Sequence, residues 1–233
     1  MSRKARRTGL VERGIEPLTR RDSQISLVVV ATEDTYAAKQ YLDALQAHGL
    51  VDRSRVEIIT LPTLDGRSSL GALLDRLQDR QEKFAVRLAE DQCWAVFDVD
   101  HHQDAKLSTA AKTATSRGFR LAGSNPCFEL WLLLHLTDDI SGLASGSESP
   151  HGAARACEQR LHETLQVGDP RARGYEKTRI GAARFAVLDR VQAAIARARA
   201  LSPATGAPWP AAVGTHVYAL IDGLPRPPAA LGG

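Results

Sequence analysis

Apolar residues in this chain fall into short runs, each followed by a polar stretch of helical period, and the alternation repeats four times. The first run, QISLVVVAT (24–32), is almost unbroken, the pattern of a strand covered on both faces. It leads into Glu33 and Asp34. TYAAKQYLDALQAHG then places Ala38, Tyr41, Leu42 and Leu45 on one helical face, with Gly49 as a stop. VEIITLP (56–62) predicts a second strand and TLDGRSS a turn-rich loop. Leu70, Leu73, Leu74, Leu77, Phe84 and Leu88 mark the buried stripe of a helix over about 70–89. CWAVFDV predicts a third strand, AKLSTAAKTATSRG a helix ending at Gly118, and FRLAGS a fourth strand. CFELWLLLHL predicts a helix starting directly after Pro126, since proline is tolerated in a first turn. Such alternation builds an α/β layer around a mainly parallel sheet.

After Leu136 the pattern changes. TDDISGLASGSESPHG is polar and rich in Gly and Ser, and two helical patterns follow at 152–166 and 179–201. Phe185, Leu188, Val191 and Ile195 form the apolar stripe of the second. THVYALIDGL closes the ordered part and PRPPAALGG reads as a tail. The expected organisation is a basic arm at 1–22, an α/β core at 23–137, a linker at 138–151, a helical part at 152–225 packing on the core, and a tail at 226–233.

Composition narrows the class. The 233 residues are 43% hydrophobic and 24% charged, as in soluble globular proteins, and no apolar run approaches the ~18 residues of a membrane span. The N-terminus is basic, but no apolar segment follows it as in a secretory signal, so a cytoplasmic protein is expected. Cys93, Cys127 and Cys157 are odd in number and far apart, which argues against a disulfide framework or a zinc ribbon. The net charge of +3 is small, but the positive residues cluster. Arg171, Arg173, Arg179 and Arg184, with Lys177 among them, make the best basic patch for a nucleic-acid backbone.

The candidate chemistry lies in WAVFDVDHHQD, where an apolar strand ends in Asp98 and Asp100. Period-2 geometry points both to the same side, and ligands of open α/β sheets bind at the carboxyl ends of strands. Glu33 follows the first strand in the same way. Three acids converging there repel one another unless a hard cation, Mg²⁺ or Mn²⁺, sits between them, and such a centre can hydrolyse phosphodiesters. Taken singly, these acids also fit the roles of strand-end, turn and helix-N-terminal residues. His102 in the following turn could ligate metal or shuttle a proton. Lys177 either faces the acids, where it would neutralise a scissile phosphate, or is an exposed residue of an Arg-rich linker. His135 shares a helical face with Phe128, Trp131 and Leu132, which suits a core histidine better than a ligand.

VVVATED with YL, VFDVDHH, SNPCFELWLLLHL, YEK and THVYALIDGL together resemble the RloB family of TOPRIM-type proteins over about residues 20–225. SNPCFELWLLLH carries most of the likeness. The resemblance implies a TOPRIM-like, mainly parallel four-stranded sheet flanked by helices, with a helical C-terminal extension. It also implies an acidic centre of Glu33, Asp98 and Asp100 framed by Asn125 and Glu129, with Mg²⁺ or Mn²⁺ as cofactor. The function implied is a nuclease acting on DNA or RNA, the effector of an abortive-infection, anti-phage system regulated by an AAA- or ABC-type ATPase encoded nearby; self-association is compatible with that role. Family members usually carry glycine after the first acid and further glutamates beyond, whereas this chain reads TEDTYAA. That difference supports an alternative: a catalytically inactive TOPRIM-like subunit that binds and regulates the ATPase. FDVD also resembles the nucleophile motif of haloacid-dehalogenase-like phosphatases. Those place it on their first strand and follow it with Thr or Val, where this chain has His101 on the third.

Overall fold

The computed structural model describes residues 25–63, 66–83, 86–87, 89–99, 104–143, 150–167, 174–203 and 206–228. The predicted basic arm, the middle of the predicted linker and the end of the tail lie outside them.

Five strands form one sheet: β1 (Ser26–Thr32), β2 (Val56–Leu61), β3 (Gln92–Asp98), β4 (Arg120–Asn125) and β5 (Gly214–Thr215), in the order β2-β1-β3-β4-β5. The first four run parallel, as expected, and β5 adds an antiparallel edge to β4. The sheet thus has a fifth strand where the sequence predicted four. Two residues are too short for a periodic pattern to register, and β5 is fixed by partners distant in the chain. Ser124 Oγ and Thr215 Oγ1 lie 2.8 Å apart, and the His216 N–H donates to the Gly123 carbonyl at 2.8 Å.

Strand periodicity divides the core in two. Val28, Val30, Trp94, Val96 and Ala122 face one layer, and Val29, Ala31, Cys93, Ala95 and Phe97 face the other. The second layer is built by α2 (Leu70–Lys83) through Leu70, Leu73, Leu74 and Leu77, and by α3 (Asp104–Ser116) through Leu107, Ala110 and Ala114. The first layer contains α1 (Ala37–Ala47), α4 (Glu129–Leu133), α5 (Pro150–Gln166), α6 (Leu188–Leu201) and α7 (Val217–Asp222). Both faces are therefore buried, which is why β1 and β3 read as continuous apolar runs rather than alternating ones. Among the described residues no helix is long and apolar enough to cross a membrane.

Three helix expectations are corrected. The helix expected over 70–89 is described over Leu70–Lys83 and residues 86–87 are not helical, while the expected stripe residues Phe84 and Leu88 lie outside the described residues. The helix expected directly after Pro126 is only Glu129–Leu133, starting after Phe128, whose N–H is held by Asp98 rather than free to begin a coil at Pro126. The pattern at 179–201 is a 3-10 turn (Ala182–Arg184) followed by α6, with Val187 extended between them. Leu188 is 44% exposed at the start of α6 and does not belong to its buried stripe, whereas Val191 and Ile195 do.

His135 organises the first layer. Its Nδ1 lies 2.8 Å from the Trp131 carbonyl, an acceptor only, so Nδ1 carries the proton and Nε2 accepts from the Tyr41 hydroxyl at 3.0 Å. The rings of Tyr41, Trp131 and Phe185 all meet the imidazole edge-on, at centroid distances of 5.3, 4.9 and 5.7 Å. One residue thereby joins α1, α4 and the turn before α6. Cys127 and Cys157 are free and buried, and the hydrogen bond between them, with burial, pushes the Cys127 thiol up.

Gly123 lies opposite Phe97 in the β3–β4 ladder. A Cβ there would stand 2.9 Å from the Phe97 ring and 3.0 Å from the Trp209 Cβ. Gly123→Val is expected to lower unfolding free energy by about 1–3 kcal/mol through overpacking. Urea denaturation monitored by circular dichroism tests it; wild-type stability would show that the Phe97 ring moves freely.

Candidate functional site

The fold brings Glu33 and Asp98 together. β1 and β3 are neighbours, so the residues that leave their carboxyl ends are adjacent although 65 positions separate them. The Glu33 N–H continues the ladder by donating to the Val96 carbonyl at 3.0 Å. The Glu33 carboxylate then turns across the strand ends and accepts the Asp98 N–H at 3.0 Å. Asp98 is 9% exposed, and its Oδ1 accepts the Phe128 N–H at 2.8 Å. The next residue, Glu129, is 2% exposed and accepts the Tyr175 hydroxyl proton. Burial and the Glu129 charge hold the Tyr175 phenol well above its ordinary range.

The loop after β1 is braced from both sides. The Asp34 carboxylate collects the N–H groups of Tyr36, Ala37 and Ala38 at the start of α1. Burial raises the Asp34 pKa; the Ala37 and Ala38 N–H groups oppose that rise, and the Glu129 charge adds to it. Arg76 of α2 donates to the Pro62 carbonyl at 2.8 Å, to Thr63 Oγ1 at 2.6 Å and to the Thr32 carbonyl at 3.3 Å. This guanidinium fixes the ends of β1 and β2 beneath Glu33.

Lys177 lies in the segment before the 3-10 turn. Its Nζ donates to Glu158 of α5 at 3.1 Å. Burial works to lower its pKa, but Glu129, Glu158 and Asp98 outweigh that effect, so the ammonium is held above its ordinary range. Lys177 is exposed, and Glu158 is the acid it bonds.

Asn125 ends β4 and donates from Nδ2 to the Pro210 carbonyl at 3.3 Å, engaging the loop before β5. Arg179 is exposed and Arg184 half-buried near the N-terminus of α6, on the same segment as Lys177. Asp100, His102, Arg171 and Arg173 lie outside the described residues. Sequence reasoning singled out Asp34 as the departure from glycine but not its bonds to the N–H groups of α1, and it missed Arg76, Glu158 and Tyr175. Asp34 had a signal, an aspartate three residues before a helical run; the other three are tertiary partners with no local pattern.

Glu33 and Asp98 are hard oxygen ligands of the kind that suits Mg²⁺, which often takes only one or two carboxylates and keeps waters elsewhere in its shell. Among the described residues there is no group of three His, Cys, Asp or Glu side chains placed to hold a metal ion. A mostly parallel sheet with acids at the carboxyl ends of β1 and β3, flanked by helices and extended by a C-terminal helical part, is a TOPRIM-like α/β arrangement. The family model described as RloB-like protein matches residues 28–224. The chain belongs to the RloB family. Comparisons with curated proteins and with solved structures each returned no match.

Proposed function

We propose that this chain is a TOPRIM-like binding and regulatory subunit that works with an AAA- or ABC-type ATPase in anti-phage defence. The observation that carries the reading is Asp34. Glycine at that position lets backbone approach a phosphate closely. Asp34 instead fills the loop with a carboxylate held by the N–H groups of α1, one residue from Glu33 and within electrostatic reach of Glu129. A phosphate approaching this loop meets an additional acid and finds those N–H groups already bonded.

A second reading, a metal-dependent nuclease, is favoured by the contact between Glu33 and Asp98 and by the Lys177 ammonium, whose charge the Glu129, Glu158 and Asp98 carboxylates favour. In that reading Glu33, Asp98 and Asp100 hold Mg²⁺ or Mn²⁺, which polarises a phosphodiester of DNA or RNA and activates water. Lys177 would supply positive charge to the phosphate.

Co-expression with the neighbouring ATPase separates the two. The regulatory reading expects co-purification, an altered ATPase rate and no change in melting temperature on adding Mg²⁺ or Mn²⁺. Metal-dependent stabilisation together with nucleic-acid cleavage, both lost in Asp98→Asn, would replace it with the nuclease. Asn at 98 retains an acceptor for the Phe128 N–H and removes only the charge.

A further inference from the structure

One cleft of this molecule has no role so far. It has a volume of about 450 Å³ and is lined by Arg155, Glu158, Gln159, His162 and Tyr175. The first four share one face of α5, at the i, i+3, i+4 and i+7 spacing that stacks side chains along a helix. Tyr175 closes the opposite wall, and its hydroxyl is bonded to Glu129. The cleft therefore reaches the acidic edge through a single side chain, and Lys177 joins its rim through Glu158.

We infer that this cleft seats the phosphodiester backbone of a nucleic-acid strand running alongside the acidic edge. Arg155 is exposed and has no ion pair or hydrogen bond among the described residues, so its guanidinium is available to a phosphate. The acid that would repel a phosphate there, Glu158, is neutralised by Lys177 at 3.1 Å. His162 is held with its ring against Gly174, where an added Cβ would come within 2.3 Å of it. Its Nδ1 lies 3.3 Å from the Tyr175 carbonyl, so that nitrogen is the donor. Arg179 is exposed two residues beyond Lys177 and adds a second positive side chain to the same segment. Single-stranded backbone is bound in grooves of this kind, where positive side chains follow the phosphates. The inference goes beyond the regulatory reading and holds whether or not the acidic edge cleaves.

The test uses the full chain and fluorescein-labelled single strands of about 15 nucleotides, one DNA and one RNA, followed by fluorescence anisotropy across a salt series. Arg155→Glu is expected to weaken binding of at least one of the two strands by about tenfold and to reduce the salt slope by about one. Arg199→Glu is the control for overall charge, because Arg199 is on α6 and paired with Asp222 at 2.7 Å. The DNA and RNA arms show which backbone the cleft accepts. The inference is overturned if neither strand binds, if both variants weaken binding equally, or if Arg155→Glu binds like wild type. Displacement of the strand by poly-glutamate as readily as by unlabelled strand would assign the cleft to an acidic peptide instead. ATPase co-purification is a separate readout, so the regulatory reading and the cleft can fail independently.

Discussion

Tyr175→Phe is expected to destabilise the protein by about 3 kcal/mol, a large loss for the removal of one oxygen atom. Its hydroxyl bonds the Glu129 carboxylate, which is 2% exposed, and a buried carboxylate deprived of its donor bears most of its desolvation cost. The damage would not remain local, because Glu129 follows Phe128, whose N–H holds Asp98. The companion variant Glu129→Gln keeps the shape and an acceptor for Tyr175 while removing the charge. It should be close to wild type in stability, and adding Tyr175→Phe to it should cost much less than 3 kcal/mol. Urea unfolding of the two single variants and the double variant measures this coupling. Additive losses would show that the bond between the C-terminal segment and the acidic edge contributes nothing of its own.

Acidification should destabilise the protein through His135. Burial lowers its pKa from 6.5 to about 4 in the folded chain. The unfolded chain therefore binds a proton at His135 before the folded chain does, and stability rises with pH between these two values. The contribution is fully present above pH 6.5 and is lost as pH falls toward about 4. A shift of this size corresponds to about 3 kcal/mol. His135→Gln has no proton to take up in this range. It should be less stable at neutral pH, from loss of ring packing against Trp131, Tyr41 and Phe185, yet show a flatter dependence between pH 6.5 and 4. Unfolding free energies at several pH values decide the matter; parallel curves for variant and wild type would remove His135 as the source.

Periodicity and strand-end placement made much of the architecture legible in advance. The apolar run 24–32 reads as a strand covered on both faces and 93–99 as a second strand, and Glu33 and Asp98 at their ends were expected at one edge of a parallel sheet. The polar stretches between them carried a clear 3.6-residue period, so α1, α2 and α3 were readable except at their ends. These features are local, and local chain stiffness and burial pattern determine them.

Contacts between remote residues were decided only by the folded chain. Nothing in the sequence around Tyr175 indicates that its hydroxyl reaches a glutamate 46 positions earlier. Arg76, in the middle of an ordinary amphipathic helix, gives no hint that it fastens the ends of β1 and β2. The two-residue β5 exists only because Ser124 and Gly123 provide it with partners. A hydrogen bond between distant residues depends on how whole layers dock, and docking is set by the sum of many apolar contacts. The sequence by itself determined which residues leave the strand ends as acids; the tertiary structure decided which partners hold them, because that choice depends on packing geometry and leaves no periodic trace in the chain.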